Sequence, residues 1–180
     1  MFIFERIDPV AEAQELIDFM TAQPWPYHVN PRSTAEDIRQ AIGAGAYRGE
    51  ENDSYWIVHR TLGRVGFVRL EDLEDPTPLF DLRLAEEHRG RGFGKDILLA
   101  LTDWVFENNP QFARFEGQTR EDNLPMRKTF VRAGWVKEAH YREGWPVAGG
   151  EAVASVAYAI LRRDWQTGFT TPVPWDDDPQ

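Results

Sequence analysis

The sequence predicts a single α/β domain of mixed, α+β character, and three observations carry that prediction. Short runs with apolar residues at every second position recur along the chain and read as strands. Stretches of helical apolar spacing are interleaved with them, in the order β-α-α-β-β-β-α-β-α-β-β. No repeat or linker divides the 180 residues, a length that suits one sizeable core. The domain is expected over 1–167, with 168–180 as a solvated tail.

"FIFERI" (Phe2–Ile7) reads as the first strand. Asp8 and Pro9 make an N-cap and first-turn pair, and Val10, Ala13, Ile17 and Met20 then follow at helical spacing. "PWPYHVNPRS" is a loop broken by three prolines. Ser33 and Glu36 have capping-box spacing for a second helix carrying Ile38 and Ile42. "SYWIVHR" and "VGFVRL" flank "TLG" as a hairpin, an acidic loop follows, and "LFDLRLA" (Leu79–Ala85) is a fourth strand. The next helix runs from about Gly92 to Asn108, with Ile97, Leu98, Leu101, Val105 and Phe106 on its buried face. "FARFEGQT" (Phe112–Thr119) is a fifth strand. Asn123 and Pro125 open a helix that stops at Gly134, and "WVKEAHYRE" and "ASVAYAIL" are the closing strands.

Charge narrows the classes of function. Twenty Lys and Arg stand against 30 Asp and Glu, a formal net charge of −10. Such a chain repels nucleic acid and anionic membrane unless a local patch overrides the field. With no cysteine there is no disulfide, thiolate metal site or thiol nucleophile. The four histidines lack metal-ligand spacing, so no metal is expected. No signal peptide or membrane span is read, and the expected setting is the cytoplasm.

The densest chemical signal is "EEHRGRGFGKDILLAL", where glycines alternate with cations at the mouth of a helix. The first amides of a helix have no partner within it and, with the helix dipole, favour an anion. Glycine lets backbone approach a phosphate closely. A Walker loop fails here, because Arg89 stands at its first glycine and Asp96 at its hydroxyl. A dinucleotide fingerprint fails because Lys95 stands at its third glycine. The pattern [RQ]-x-x-G-x-[GA] fits Arg89-Gly90-Arg91-Gly92-Phe93-Gly94 in full.

That hexapeptide resembles the pyrophosphate loop of the GNAT acetyltransferases. Two further motifs extend the resemblance, toward the RimJ/RimL-type branch. "TREDNLPMRKTFVRAGW" is similar to the second motif, with Asn123, Gly134 and Trp135 in place, and "VKEAHYREGW" with "AYAILRRDW" to the closing strand pair. The resemblance implies a three-layer fold, with helices on both faces of a mixed, mostly antiparallel sheet of about six or seven strands, splayed between the fourth and fifth. It implies acetyl-coenzyme A as cosubstrate. Leu82, Arg83 and Leu84 would lie along the pantetheine arm, Arg89 through Lys95 would wrap the pyrophosphate, and Asn123 and Phe130 would lie beside the cofactor. Arg127 and Lys128 read as a wet helix face that is also within reach of the phosphates. Asn123 fits plain helix capping equally well.

The implied activity is acetyl transfer to a primary amine, either a protein N-terminus or a small molecule. Direct attack in a ternary complex is preferred, since no thiol is present for an acyl-enzyme. The acceptor's proton needs a base. Asp81 ranks first, Glu116 second and Asp72, at the end of the third strand, third. Each has a plain alternative: Asp81 pairing with Arg83, Glu116 with Arg114, and Asp72 solvating its loop. Many family members carry a tyrosine where this chain has Phe130, and some carry a serine where it has Met126. Neither residue donates a proton, so the general acid is unassigned. That departure also suits a non-catalytic coenzyme sensor or scaffold. Many relatives pair, and the resemblance leaves a homodimer open.

Overall fold

The computed structural model describes residues 1–175. In chain order the elements are β1 (Phe2–Arg6), α1 (Ala13–Thr21), α2 (Ala35–Gly43), β2 (Asp53–His59), β3 (Gly63–Glu71) and β4 (Leu79–Leu84). After a short 3-10 turn come α3 (Phe93–Asn108), β5 (Arg114–Arg120), α4 (Leu124–Arg132), β6 (Val136–Trp145), β7 (Val153–Leu161) and α5 (Arg162–Thr167). The strands form two antiparallel sheets, ordered β1-β2-β3-β4 and β5-β7-β6. The sheets meet where β4 and β5 begin: Ala113 N–H donates to Pro76 O and Glu116 N–H to Pro78 O, both at 3.1 Å. Beyond those two bonds β4 and β5 have no ladder and part. The expected splay is therefore present, and the neighbouring ends of β4 and β5 run parallel while every ladder is antiparallel.

Two apolar layers fix the helices on opposite faces. Leu16, Ile17 and Met20 of α1 and Ile38 of α2 bury against Trp56 and Phe67. Ile97, Leu98, Leu101, Val105 and Phe106 of α3 bury on the other side with Val65, Val68 and Leu70. An aromatic wedge fills the base of the splay. Phe80 of β4 lies 5.1 Å from Phe115 of β5 and 6.1 Å from Phe130 of α4, centroid to centroid, and Phe130 stacks on Tyr158 at 4.8 Å. Gly117 admits this wedge, because a Cβ there would sit 2.6 Å from Phe130 and 2.7 Å from Phe80.

Four local expectations shift. Asp8 does cap a turn, its Oδ1 accepting from Val10 and Ala11 N–H at 3.1 Å, but regular helix begins only at Ala13 and Val10 is exposed. The capping box belongs to Thr34 and Asp37, one residue later than the sequence suggests. Asp37 reaches the Thr34 amide at 2.7 Å and Thr34 Oγ1 accepts from Asp37 N–H. Strand β5 starts at Arg114 because Arg162 ties the preceding turn down, donating to the carbonyls of Phe106, Asn109 and Phe112. Helix α5 replaces the strand end expected at "RRDW"; Trp165 Nε1 anchors it to Asp103 at 2.7 Å and Gly168 ends it in the left-handed region. Of the expected tail, Thr171 bonds back to Asp164 while Phe169 and Trp175 are exposed; 176–180 lie outside the described residues.

Candidate active site

The opening between β4 and β5 continues into a groove of about 470 Å³. Its floor is the Leu82–Leu84 stretch of β4, one end is the 88–95 turn, one wall is α4, and the other is the Trp25–His28 loop.

The floor exposes backbone. Residues along a strand turn their N–H and C=O to alternate edges. Ala85 N–H donates across to Val65 O of β3, and Pro78 O accepts from β5 on the opposite edge. Leu82 and Leu84 share Pro78's parity, so their backbone groups face the gap, as the expected pairing with an added extended arm requires. The Leu84 carbonyl already accepts from Arg89 Nε at 2.9 Å and Gln23 Nε2 at 3.4 Å.

The turn is shaped for an anion. Gly90 and Gly92 have φ of 69° and 86°, a conformation that costs other residues strain. Gly92 is the N-cap of α3 and brings no side chain to cap it, so the amides of Phe93, Gly94 and Lys95 point at the groove unpaired. Lys95, Lys128 and Arg132 line the same space, a local positive patch in an acidic protein. Sequence reasoning missed Arg132, and only the docking of α4 beside α3 reveals it.

Of the expected contacts, Arg91 and Phe130 stand outside the groove. Arg89 lines it and is also braced: besides Leu84 it reaches Pro24 O, and its guanidinium lies 4.8 Å over Trp25. Arg91 is exposed over the Phe93 ring and does not line the groove. Phe130 is buried behind the groove wall, held by Tyr158 and Trp135, so it packs the wedge. Asn123 does line the groove and also caps α4, accepting from Met126 N–H at 3.3 Å and donating to Thr119 Oγ1 at 2.9 Å. Arg127 turns away, donating to Glu121 O at 2.7 Å.

None of the three carboxylates proposed as base lines the groove. Asp72 sits in the turn after β3, exposed, with φ of 56°. Glu116 pairs with Arg114 at 2.5 Å, and Arg114 also binds Glu138. Asp81 accepts from Arg83 through both oxygens, at 2.8 to 3.3 Å. Burial opposes its charge, but Arg83, His28 and Arg69 outweigh it and hold the carboxyl down at about 2. A carboxylate so stabilised holds protons poorly.

What the sequence did not single out is the residue above Asp81. His28 lines the groove with Nδ1 3.4 Å from Asp81 Oδ1. Burial pushes it down to about 4; Asp81 opposes this, and Arg83, Arg89 and Arg69 add to it, so the ring is neutral at pH 7. Trp25 fixes this loop, donating from Nε1 to Met20 O at 2.8 Å and accepting the His28 amide on its carbonyl at 3.0 Å.

A family model for the acetyltransferase (GNAT) domain matches residues 5–136. The chain belongs to that family. This GNAT domain is 33% identical over 66 residues to the uncharacterized N-acetyltransferase YobR of Bacillus subtilis (strain 168); the match covers 36% of the chain and spans about a quarter (26%) of YobR. Among solved structures it is similar to spermidine N-acetyltransferase from Vibrio cholerae in complex with coenzyme A and spermine, at a TM-score of 0.75 and 13% identity over 92% of this chain and 98% of that one. A chimera of that enzyme with hSSAT aligns at a TM-score of 0.77 and 14% identity, over the same shares of each chain. At such identities the likeness shows the fold. Among the described residues of the GNAT domain no cluster of His, Asp and Glu is placed to hold a metal ion, and no helix is long and apolar enough to cross a membrane.

Proposed function

We propose that this GNAT domain moves an acetyl group from acetyl-coenzyme A to a primary amine by direct attack in a ternary complex. The observation that carries the reading is one groove holding two fitted features. At one end is an uncapped helix start bordered by Lys95, Lys128 and Arg132; along the floor is a strand edge that no other strand pairs, with the Leu84 carbonyl held by Arg89 and Gln23. The first fits a pyrophosphate and the second an amide-bearing arm. When bound, the coenzyme supplies a thioester activated toward amines. The chain's own part is to hold that arm in register along Leu82 and Leu84, to fix the phosphates at Phe93–Lys95, and to exclude water by the buried wedge below.

The acceptor we propose is a cationic amine. A net charge of −10 attracts such molecules, and structural neighbours are named for spermidine acetylation. The RimJ/RimL-type affiliation, a cytoplasmic setting and self-association belong to the same proposal; one neighbour is described as dodecameric. The alternative, a coenzyme-binding scaffold without turnover, is favoured by one observation: neither Phe130 nor Met126 can donate a proton. Release of free thiol from acetyl-coenzyme A, measured with spermidine, a short peptide bearing a free N-terminus, and an aminoglycoside, separates the two. Turnover with any of them above solvent hydrolysis supports transfer. Tight coenzyme binding with no turnover across the panel supports the scaffold.

A further inference from the structure

We propose that His28 is the proton-transferring residue of this site, with Asp81 as the positioning residue that sets its tautomer. The inference rests on the acetyl-transfer reading and assigns it a group that no family motif in the chain supplies. Three features of the geometry carry it.

The first is location. An arm that starts at the 88–95 turn and follows β4 passes Leu84 and then Leu82, so its reactive end arrives beside Asp81. His28 covers Asp81 there and lines the groove. The second is orientation. Asp81 is held by Arg83 and stays ionised, and a carboxylate 3.4 Å from His28 Nδ1 favours the tautomer with its proton on that nitrogen, which leaves Nε2 unprotonated. The third is rigidity: the loop is pinned through Trp25, and Trp25 is itself covered by Arg83 and Arg89. His28 and Trp25 meet edge to face at 6.1 Å.

The charged groups facing the ring are Asp81 and Arg83 from β4, Arg69 from β3 and Arg89 from the turn, so three cations surround one carboxylate. The imidazole is therefore neutral at physiological pH, and once protonated it gives the proton up readily. That suits a relay. The neutral amine's lone pair bonds to the acetyl carbon. The C–S bond breaks with its electron pair going to sulfur. The proton shed by nitrogen passes to His28 Nε2 and from there to the thiolate. The products are the amide, free thiol and unchanged His28. One residue thus serves as base and then as acid, which accounts for Phe130 and Met126 lacking donor groups.

The test uses the full chain and whichever amine of the three-class panel turns over fastest. His28→Ala is expected to lower kcat by about 10²–10⁴-fold at pH 7, with acetyl-coenzyme A affinity by calorimetry changed by less than about threefold. Added imidazoles should restore turnover, and faster for the more basic members of a substituted series, a dependence that mere cavity filling would not show. His28→Gln, which keeps the volume, should lose as much and serves if the alanine variant does not fold. Asp81→Asn should lose less than His28→Ala. Independently of any acceptor, nitrogen-15 NMR should find His28 neutral with its proton on Nδ1. Full kcat in both His28 variants, rescue indifferent to imidazole basicity, or a proton on Nε2 would each overturn the role. Absence of turnover in the unmodified protein with every amine is a different outcome: it overturns the transfer reading, and this role with it.

Discussion

The two ends of the groove are assembled by opposite means. The 88–95 turn, the start of α3 and the floor of β4 come from one continuous stretch, and their chemistry is mostly backbone: glycines in the left-handed region, uncapped amides, an unpaired strand edge. The Trp25–His28 wall is made of side chains, and its partners on β4 and the turn lie more than fifty positions away, as in His28 with Asp81 and Trp25 with Arg83 and Arg89. A site made of backbone is fixed by local sequence and tolerates few replacements. A site made of side chains on a braced loop can change its acceptor while the fold stays put.

The sharpest way to break this comparison is Gly92→Asp. It places a side chain and a negative charge where the helix start is bare, and forces aspartate to φ near 86°. Coenzyme binding should vanish in calorimetry while the circular dichroism of the fold is retained. Unchanged affinity would show that the turn is not the phosphate site. Gly117→Ala probes the wedge between the two halves. Its new methyl would collide with Phe130 and Phe80, and urea denaturation should show a loss of about 1–3 kcal/mol.

A pH titration of stability, compared with that of His28→Asn, reads the Trp25–His28 wall. Unfolded histidine titrates near ~6.5, while folded His28 is held at about 4. Between those values the unfolded chain binds more protons, so stability should rise with pH across that window and be fully present above it. The expected contribution is on the order of 3 kcal/mol, and it should disappear in His28→Asn. Asp81 acts lower: its stabilisation is present above about 4 and is lost as pH falls toward about 2. The smallest effects belong to the cations at the coenzyme end. Lys128→Ala and Arg132→Ala should each weaken coenzyme binding by about 0.2–1 kcal/mol, and the loss should shrink at high salt.

The same contrast explains what the sequence disclosed. The Arg89–Lys95 turn and the caps at Asp8 and Asn123 were legible because each depends on residues within a few positions of one another; the splay, built by Phe80, Phe115 and Phe130, was expected only from the resemblance. Asp81 and Arg83 were correctly placed on one face of β4 by alternation. What stands over that face was not legible: "PWPYHVNPRS" shows only that no regular element crosses it. A lone histidine between aromatics and prolines, in a break between two helices, was the sole hint of His28. Ser33 with Glu36 and Thr34 with Asp37 satisfy the same spacing, and only the extended backbone at Thr34 decides between them. Phe130 was placed beside the coenzyme by family position, but its stacking on Tyr158 puts it one layer deeper.

The aromatic wedge has a consequence for how the protein behaves before it meets its coenzyme. An unpaired strand edge is where foreign strands add and where sheets grow from one molecule into the next. Leu82 and Leu84 present such an edge, yet it is recessed between two sheets whose separation Phe80, Phe115 and Phe130 hold fixed. With smaller residues in the wedge, β4 and β5 could zip together into one unbroken sheet, stable and soluble, with no room left for the coenzyme. The bulk of three phenylalanines thus holds β4 and β5 apart and keeps the edge of β4 recessed between the two sheets.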